Sequence, residues 1–201
     1  MDIDPLSAVE AAKAETAAAA KRAWLNPAVA ITVALLATFM GICKVKDDNI
    51  VQAMQQAQAD KLDHWQFYQA RNIREEIAKS ALVQLRLQAA SAPPKMEAAY
   101  QEQIAAYEVL AKEQHQKKDE LKTQAEKDQT TYDALNFKDD QFDLSDALIA
   151  IAISLLAVAS LTQLPWLFVL ALVPSGFGVL MGLSGLVGLG IHPDALIKLL
   201  S

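Results

Sequence analysis

Charged residues are segregated along this 201-residue chain, and that segregation restricts its fold more than any other feature. The 21 residues from Ala23 to Cys43 and the 47 residues from Ala147 to Pro193 contain no Asp, Glu, Lys or Arg. The 103 residues between them carry 33 of the 42 charges. Because a helix crosses a bilayer with about 20 apolar residues, these lengths predict one membrane span before the charged region and two after it.

The remaining composition argues against several classes of protein. A net charge of −6 argues against nucleic-acid binding, which favours a basic patch. The single cysteine, Cys43, excludes an intrachain disulfide, and the three histidines are too scattered for metal-ligand spacing. The sequence contains no HExxH, P-loop, GxSxG or GxGxxG motif. We therefore predict a protein that is not an enzyme and that uses no cofactor or metal.

The chain before and within the first span has two similar helix-start signals. Asp4-Pro5 and Asn26-Pro27 each place a capping residue before a proline in the first helical turn. Alanines dominate after the first signal, which predicts an N-terminal helical arm over residues 1–22. The second signal opens a run of apolar residues, which predicts the first transmembrane helix over residues 23–43.

Residues 44–146 predict an extramembrane helical hairpin that resembles a coiled coil. The stretch from Lys44 to Ser91 contains neither proline nor glycine, the residues that most often interrupt a helix. Prolines then predict a turn near residues 91–94, and apolar residues at near-heptad spacing follow it. Two helices joined by a short turn return to the same membrane face, as spans on both sides require. We expect the acidic segment 136–146 to be a turn-like connection.

Glycines are concentrated in the last apolar stretch. We place the second and third transmembrane helices at residues 147–164 and 166–191, with a short tail at 192–201. Small residues let helix backbones approach closely in lipid. The glycines of the last span could form the interface of an oligomer, pack against the chain's own second span, or line a pore. The glycines at this spacing are Gly178, Gly182, Gly185 and Gly188.

Large aromatic residues interrupt the otherwise polar helices of the predicted hairpin. Trp65 and Tyr68 lie on the first helix, and Tyr100 and Tyr107 lie on the second. Such side chains combine a large apolar surface with a polar group and are common at interfaces. We expect them to pack against the opposing helix or another subunit. A binding site around residues 63–71 is the alternative.

Aspartates cluster where the predicted hairpin would meet the membrane. In a ring of subunits these carboxylates would form an acidic vestibule that attracts cations. The alternative is a set of solvated charges that pair weakly, since exposed ion pairs contribute little. The six residues are Asp47, Asp48, Asp139, Asp140, Asp143 and Asp146.

A Gln/Ala-rich helix after the first apolar span carries Trp65, Tyr68-Gln69-Ala70 and Ile73, and a long charged region and two late apolar segments follow it. Through these features the segment 44–77 and the preceding span resemble an uncharacterised bacterial membrane family, catalogued as domain of unknown function 4337. The resemblance implies an integral membrane protein and implies no catalytic residue.

Together these features predict an all-α membrane protein with three transmembrane helices and a long antiparallel hairpin between the first and second. We expect a homo-oligomeric structural or interaction protein, associating through the hairpin and the glycine-rich span. The alternatives are an oligomeric channel-like pore and an accessory subunit of another membrane complex. The predicted location is the bacterial inner membrane. Basic residues before the first span, and Asp47 and Asp48 after it, favour a cytoplasmic N-terminus.

Overall fold

A computed structural model describes residues 23–191, together with Val9, Lys13 and Thr16. Residues 23–191 form three α-helices, which we name α1 (Leu25–Ala90), α2 (Glu97–Thr162) and α3 (Pro165–Val187). A short 3₁₀ helix, Pro94–Met96, precedes α2. The predicted tail at 192–201 and the predicted arm at 1–22, apart from the three residues named above, lie outside the described residues.

Helix α1 continues from its apolar first part into the charged region without a break. It ends at Ala90, where the N–H groups of Ser91 and Ala92 donate to the preceding turn at 3.1 and 3.2 Å. Pro93 then adopts an extended conformation, with φ −63° and ψ 148°, and the 3₁₀ helix follows. The helix break therefore falls where proline removes a backbone donor and disfavours the α conformation of its neighbour.

Helix α2 corrects one sequence expectation. Residues 136–146 are helical within α2, although their acidic composition predicts a turn-like connection. The segment contains no proline or glycine. Four of its residues, Gln141, Phe142, Leu144 and Ser145, are at most 3% exposed. Burial of this face offsets the modest helix propensity of aspartate and asparagine.

Helix α3 is shorter than the predicted span at 166–191, since it ends at Val187. Gly188 follows it in the left-handed conformation, with φ 78°. The N–H groups of Gly188 and Leu189 donate to the Ser184 carbonyl at 2.8 and 2.9 Å. This glycine cap terminates the helix because glycine adopts positive φ without a Cβ penalty.

The chain divides into two compact units. The first, here called the apolar unit, has its described residues within Met1–Val51 and Asn136–Ser201. All three helices contribute to its core, and the Trp24 and Phe168 rings make an edge-to-face contact at 5.8 Å. The buried core residues are Leu25, Val29, Leu36, Ile149, Ala152, Leu156 and Ala171.

The second unit, here called the polar unit, is Gln52–Leu135. Its two helical segments are linked by side-chain contacts in which residue numbers rise along α1 while they fall along α2. Few large side chains are buried between them; small residues such as Ala57, Ala78 and Ala125 share the interior with Met54, Leu82 and Ile104. The contacts include Lys61–Gln129, Arg71–Gln114 at 3.0 Å and Arg86–Glu108 at 2.6 Å.

Candidate functional site

The glycine row of α3 packs within the apolar unit. Gly178, Gly182 and Gly185 are buried, and a Cβ built at any of them would overlap a neighbouring side chain. Among the three sequence-based alternatives, these contacts favour packing against the chain's own helices. The built Cβ atom would lie 2.8 Å from Ile149 Cγ1 at Gly178, 2.7 Å from Phe39 Cε1 at Gly182 and 2.8 Å from Phe142 Cζ at Gly185.

Gly188 differs from the other three glycines of the predicted row. A Cβ built there has no neighbour within 4 Å, and the residue caps the end of α3 instead of packing against another helix. Gly176, on the exposed side of the same helix, also has open space around it. Close approach of the helices therefore depends on Gly178, Gly182 and Gly185, which lie on one face of α3. The number of glycines in the segment is larger than the number that take part in this packing.

A buried polar layer beside these glycines escaped the sequence analysis. The Gln141 side chain is fully buried, and its Nε2 donates to the carbonyl oxygens of Leu189 and Ile191 at 2.8 and 2.6 Å. The same nitrogen lies 3.1 Å from Ser184 Oγ. Ser145 Oγ donates to the Gly178 carbonyl at 2.8 Å. Gln141 thus binds the chain that follows α3 to α2.

A sequence signal for this layer existed. Gln141, Leu144, Ser145 and Leu148 recur at three- and four-residue steps, which is the spacing of one helical face. Interpreting residues 136–146 as a turn concealed that face, because the pattern has meaning only if the segment is helical.

The aspartates predicted to form a vestibule have different environments. Asp47 is 3% exposed, and its Oδ2 lies 2.8 Å from Lys44 Nζ. Asp48 lies 3.5 Å from the same ammonium and is largely exposed. Asp146 is exposed, whereas Asp140 is partly buried and accepts a hydrogen bond from Asn136 Nδ2 at 3.4 Å.

Asp139 and Asp143 complete the cluster around Asp47. Burial, a hydrogen bond with Asp47 and the charge of Asp143 raise the pKa of Asp139 to about 7. Partial removal from water and the Asp47 carboxylate raise the pKa of Asp143, which Lys44 partly counteracts. Within the described residues, no group of three or more His, Cys, Asp or Glu side chains is arranged to hold a metal ion.

The polar unit contains a buried glutamate that the sequence analysis did not single out. The Glu75 side chain is 2% exposed, and its two oxygens each lie 2.7 Å from an ammonium group, Lys79 for Oε1 and Lys118 for Oε2. His115 Nδ1 lies 3.1 Å from Oε1. The ammonium groups of Lys118 and then Lys79 lower the pKa of Glu75 to about 2. The four-residue step from Glu75 to Lys79 was the available signal.

The aromatic residues predicted to anchor an interface are all half-buried. Trp65 and Tyr68 contact each other edge to face within α1, with ring centroids 5.2 Å apart. Tyr100 and Tyr107 lie on α2. Trp65 and Tyr68 therefore pack against each other. The interface roles of Tyr100 and Tyr107 stay predictions.

Exposed apolar side chains cover the outer surface of α1 in the polar unit. Ile73 and Ile77, one helical turn apart, are 60% and 63% exposed and line a shallow groove. Contiguous exposed apolar surface of this kind marks interaction sites. The large apolar residues of α1 in this unit that are more than half exposed are Leu62, Phe67, Ile73, Ile77, Val83 and Leu87.

The apolar unit also exposes many large apolar side chains. Ile31, Leu35, Val169 and Phe177 are each more than 60% exposed. The described residues include three helical segments long and apolar enough to cross a membrane, Leu25–Ala90, Pro94–Thr162 and Pro165–Val187. The chain is therefore all-helical over its described part, with the composition expected of a membrane protein.

The family model called domain of unknown function (DUF4337) matches residues 25–188, which include all three helices. The chain belongs to this family, as the resemblance of residues 44–77 predicted. No curated protein and no solved structure matches it.

Proposed function

We propose that this chain is an integral membrane protein with a structural or interaction role, and that it self-associates through the exposed face of a helical hairpin. In this proposal the three charge-free helical segments span the bilayer, and the polar unit stands outside it. The location is the inner membrane of a bacterium, with the N-terminus in the cytoplasm, as the charge distribution around the first span favours.

The exposed apolar side chains of the three candidate spans support membrane insertion. Moving one such side chain out of water is worth about 1.5–3 kcal/mol. The apolar unit exposes more than 20 large apolar side chains, which would make it insoluble if water surrounded it. Lipid provides the missing apolar environment, and the continuous helices satisfy their own backbone hydrogen bonds there.

The observation that carries the interaction role is the apolar outer face of α1 in the polar unit. Ile73 and Ile77 are more exposed than the buried alanines that face α2, so the hairpin leaves its larger apolar side chains unused. A second copy of this chain is the proposed partner. Copies inserted in one membrane share their orientation, which holds identical patches at equal height and raises their effective concentration.

The glycine-rich helix has a smaller part in the proposed self-association than its sequence suggests. Gly178, Gly182 and Gly185 contact Ile149, Phe39 and Phe142 of the same unit, so that surface is already occupied. Self-association is therefore assigned to the polar unit.

The double substitution Ile73→Ser with Ile77→Ser tests this proposal. Each change removes apolar area worth about 1.5–3 kcal/mol when buried, so we expect dissociation to be at least about tenfold easier. The measurement is the protein mass in detergent by light scattering, over a range of concentrations. Arg74→Ser with Glu76→Ser is the matched control, because it alters exposed neighbours on the same turns and keeps the net charge.

The same purification separates the alternatives. A wild-type monomer at all concentrations, or a double variant that associates as tightly as the control, would refute self-association through this face. A stoichiometric unrelated protein would indicate an accessory subunit. Ion conductance in planar bilayers would indicate the pore with an acidic mouth, a weaker proposal because Asp47 is buried and paired with Lys44.

A further inference from the structure

In the buried carboxylate of Asp47, in the apolar unit, one of the two oxygens lacks a hydrogen-bond donor among the described residues. Asp47 Oδ2 receives the Lys44 ammonium at 2.8 Å. The other oxygen, Oδ1, is buried, and no N–H or hydroxyl group of the described residues donates to it. A buried carboxylate oxygen without a donor costs more than a typical hydrogen bond is worth. A hydrogen donated at this position would offset that cost.

On α2, the carboxyl group of Asp139 lies within hydrogen-bond reach of Asp47. Two ionised carboxylates at hydrogen-bond distance repel each other, and both are acceptors only. A proton held on Asp139 converts that repulsion into a charge-assisted hydrogen bond to Asp47. One proton therefore satisfies the orphaned oxygen and joins α1 to α2.

We propose that a protonated Asp139 carboxyl group shares its proton with Asp47 Oδ1 in a hydrogen bond, and that this contact is a pH-sensitive link between α1 and α2. In the protonated state the link is closed. Loss of the proton leaves two facing carboxylates, one of them buried, and only Lys44 compensates their charge. The inference concerns the apolar unit alone and depends neither on self-association nor on the identity of a partner.

Within the described part of the chain, the charged surroundings come from α1 and α2. On α1, Lys44 is the cation, and the Cys43 thiol and the exposed Asp48 are neighbours. On α2, Asp140, Asp143 and Asp146 contribute further negative charge. The described part of α3 and the residues after it, 165–191, contain no ionisable side chain. With one cation near several carboxylates, the cluster favours the uptake of a proton.

The direction of the effect on stability follows from the pKa of Asp139, which burial and the hydrogen bond with Asp47 raise from 3.8 to about 7. Because the folded state binds the proton more tightly than the unfolded state, the contribution is fully present below pH 3.8. It is lost as the pH rises through about 7. The link therefore opens near neutral pH.

Infrared spectroscopy of the full-length protein in lipid nanodiscs tests the shared proton directly. In wild type we expect the carbonyl band of a protonated carboxyl group to persist above about pH 5 and to disappear with a midpoint near 7. Asp139→Asn should remove that band. Asp48→Asn is the control, because it changes an exposed aspartate adjacent to Asp47 and should retain the band and its midpoint.

Unfolding as a function of pH provides a second measurement. The amide of Asp139→Asn can donate to Asp47 at any pH, so this variant should lose the decrease in stability between pH 3.8 and about 7 that wild type and Asp48→Asn show. Asp47→Asn should lower the midpoint of the band by at least about one pH unit, since it removes the facing charge. Absence of a titrating carboxyl band in wild type, or its survival in Asp139→Asn, would overturn the proposal.

Discussion

Replacing Gly178 by alanine should destabilise the packing of α3 against α2. The new Cβ would lie 2.8 Å from Ile149 Cγ1, 3.2 Å from the Ile149 backbone nitrogen and 3.2 Å from Leu148 Cβ. None of these atoms is the free end of a flexible side chain. The methyl group can therefore be accommodated only if the backbones of the two helices separate.

The matched substitution Gly176→Ala isolates this effect. Gly176 lies in the same helix, two residues earlier, and a Cβ there has no neighbour within 4 Å. Both substitutions gain helix propensity of about 1 kcal/mol, which cancels in the comparison. The remaining difference is the cost of overpacking, about 1–3 kcal/mol. It corresponds to an unfolding equilibrium constant about 5 to 150 times larger for Gly178→Ala.

The comparison requires reversible unfolding of the full-length protein in mixed micelles, monitored by circular dichroism as the fraction of denaturing detergent increases. The mass of each variant is measured in parallel. We expect Gly178→Ala to unfold earlier than Gly176→Ala while the two have the same oligomeric state. Equal stabilities would show that α3 does not approach α2 this closely. A change of mass without a change of stability would assign the glycine face to a subunit interface.

Three further predictions concern polar side chains that contact a distant part of the chain. Lys118→Met should destabilise the polar unit by about 1.5–3 kcal/mol, because it removes one of the charged donors to Glu75; chemical unfolding followed by circular dichroism checks this. The stabilisation from Glu75 is present above its ordinary pKa of 4.5 and is lost as the pH falls through about 2. In Glu75→Gln the free energy of unfolding should therefore depend less on pH between these two values. An unchanged pH dependence in this range would contradict the argument. Gln141→Leu should cost about 1–3 kcal/mol and speed hydrogen exchange in residues 184–191, whereas Gln52→Leu, at an exposed position, should leave both unchanged.

Sequence reasoning was most successful with features that a short stretch of chain encodes. The charge-free stretches correspond to the three helical segments that are long and apolar enough to span a membrane. The double proline at residues 93–94 coincides with the break between α1 and α2. Both features act locally: proline blocks helix continuation wherever it stands, and apolar length is counted along the chain.

The same reasoning failed where local composition and burial disagreed. Asp139, Asp140 and Asp143 make residues 136–146 look like a connection, yet the segment is helical because its other face is buried. Composition averages the two faces of such a helix, so it cannot distinguish a turn from a helix that is acidic on one side. The alternatives for the glycine row were open for a related reason, since spacing defines a face but not the helix that covers it.

What the amino-acid order determined by itself is the family, the helical class and the positions of the apolar segments. What only the tertiary structure decided is which side chains meet: Gly178 with Ile149, Gln141 with the carbonyls after α3, and Asp47 with Asp139. These partners are far apart along the chain, and their meeting depends on the rotation and register of packed helices. A rotation of one residue step turns a helical side chain by about 100°, so no pattern within a single helix specifies its partner.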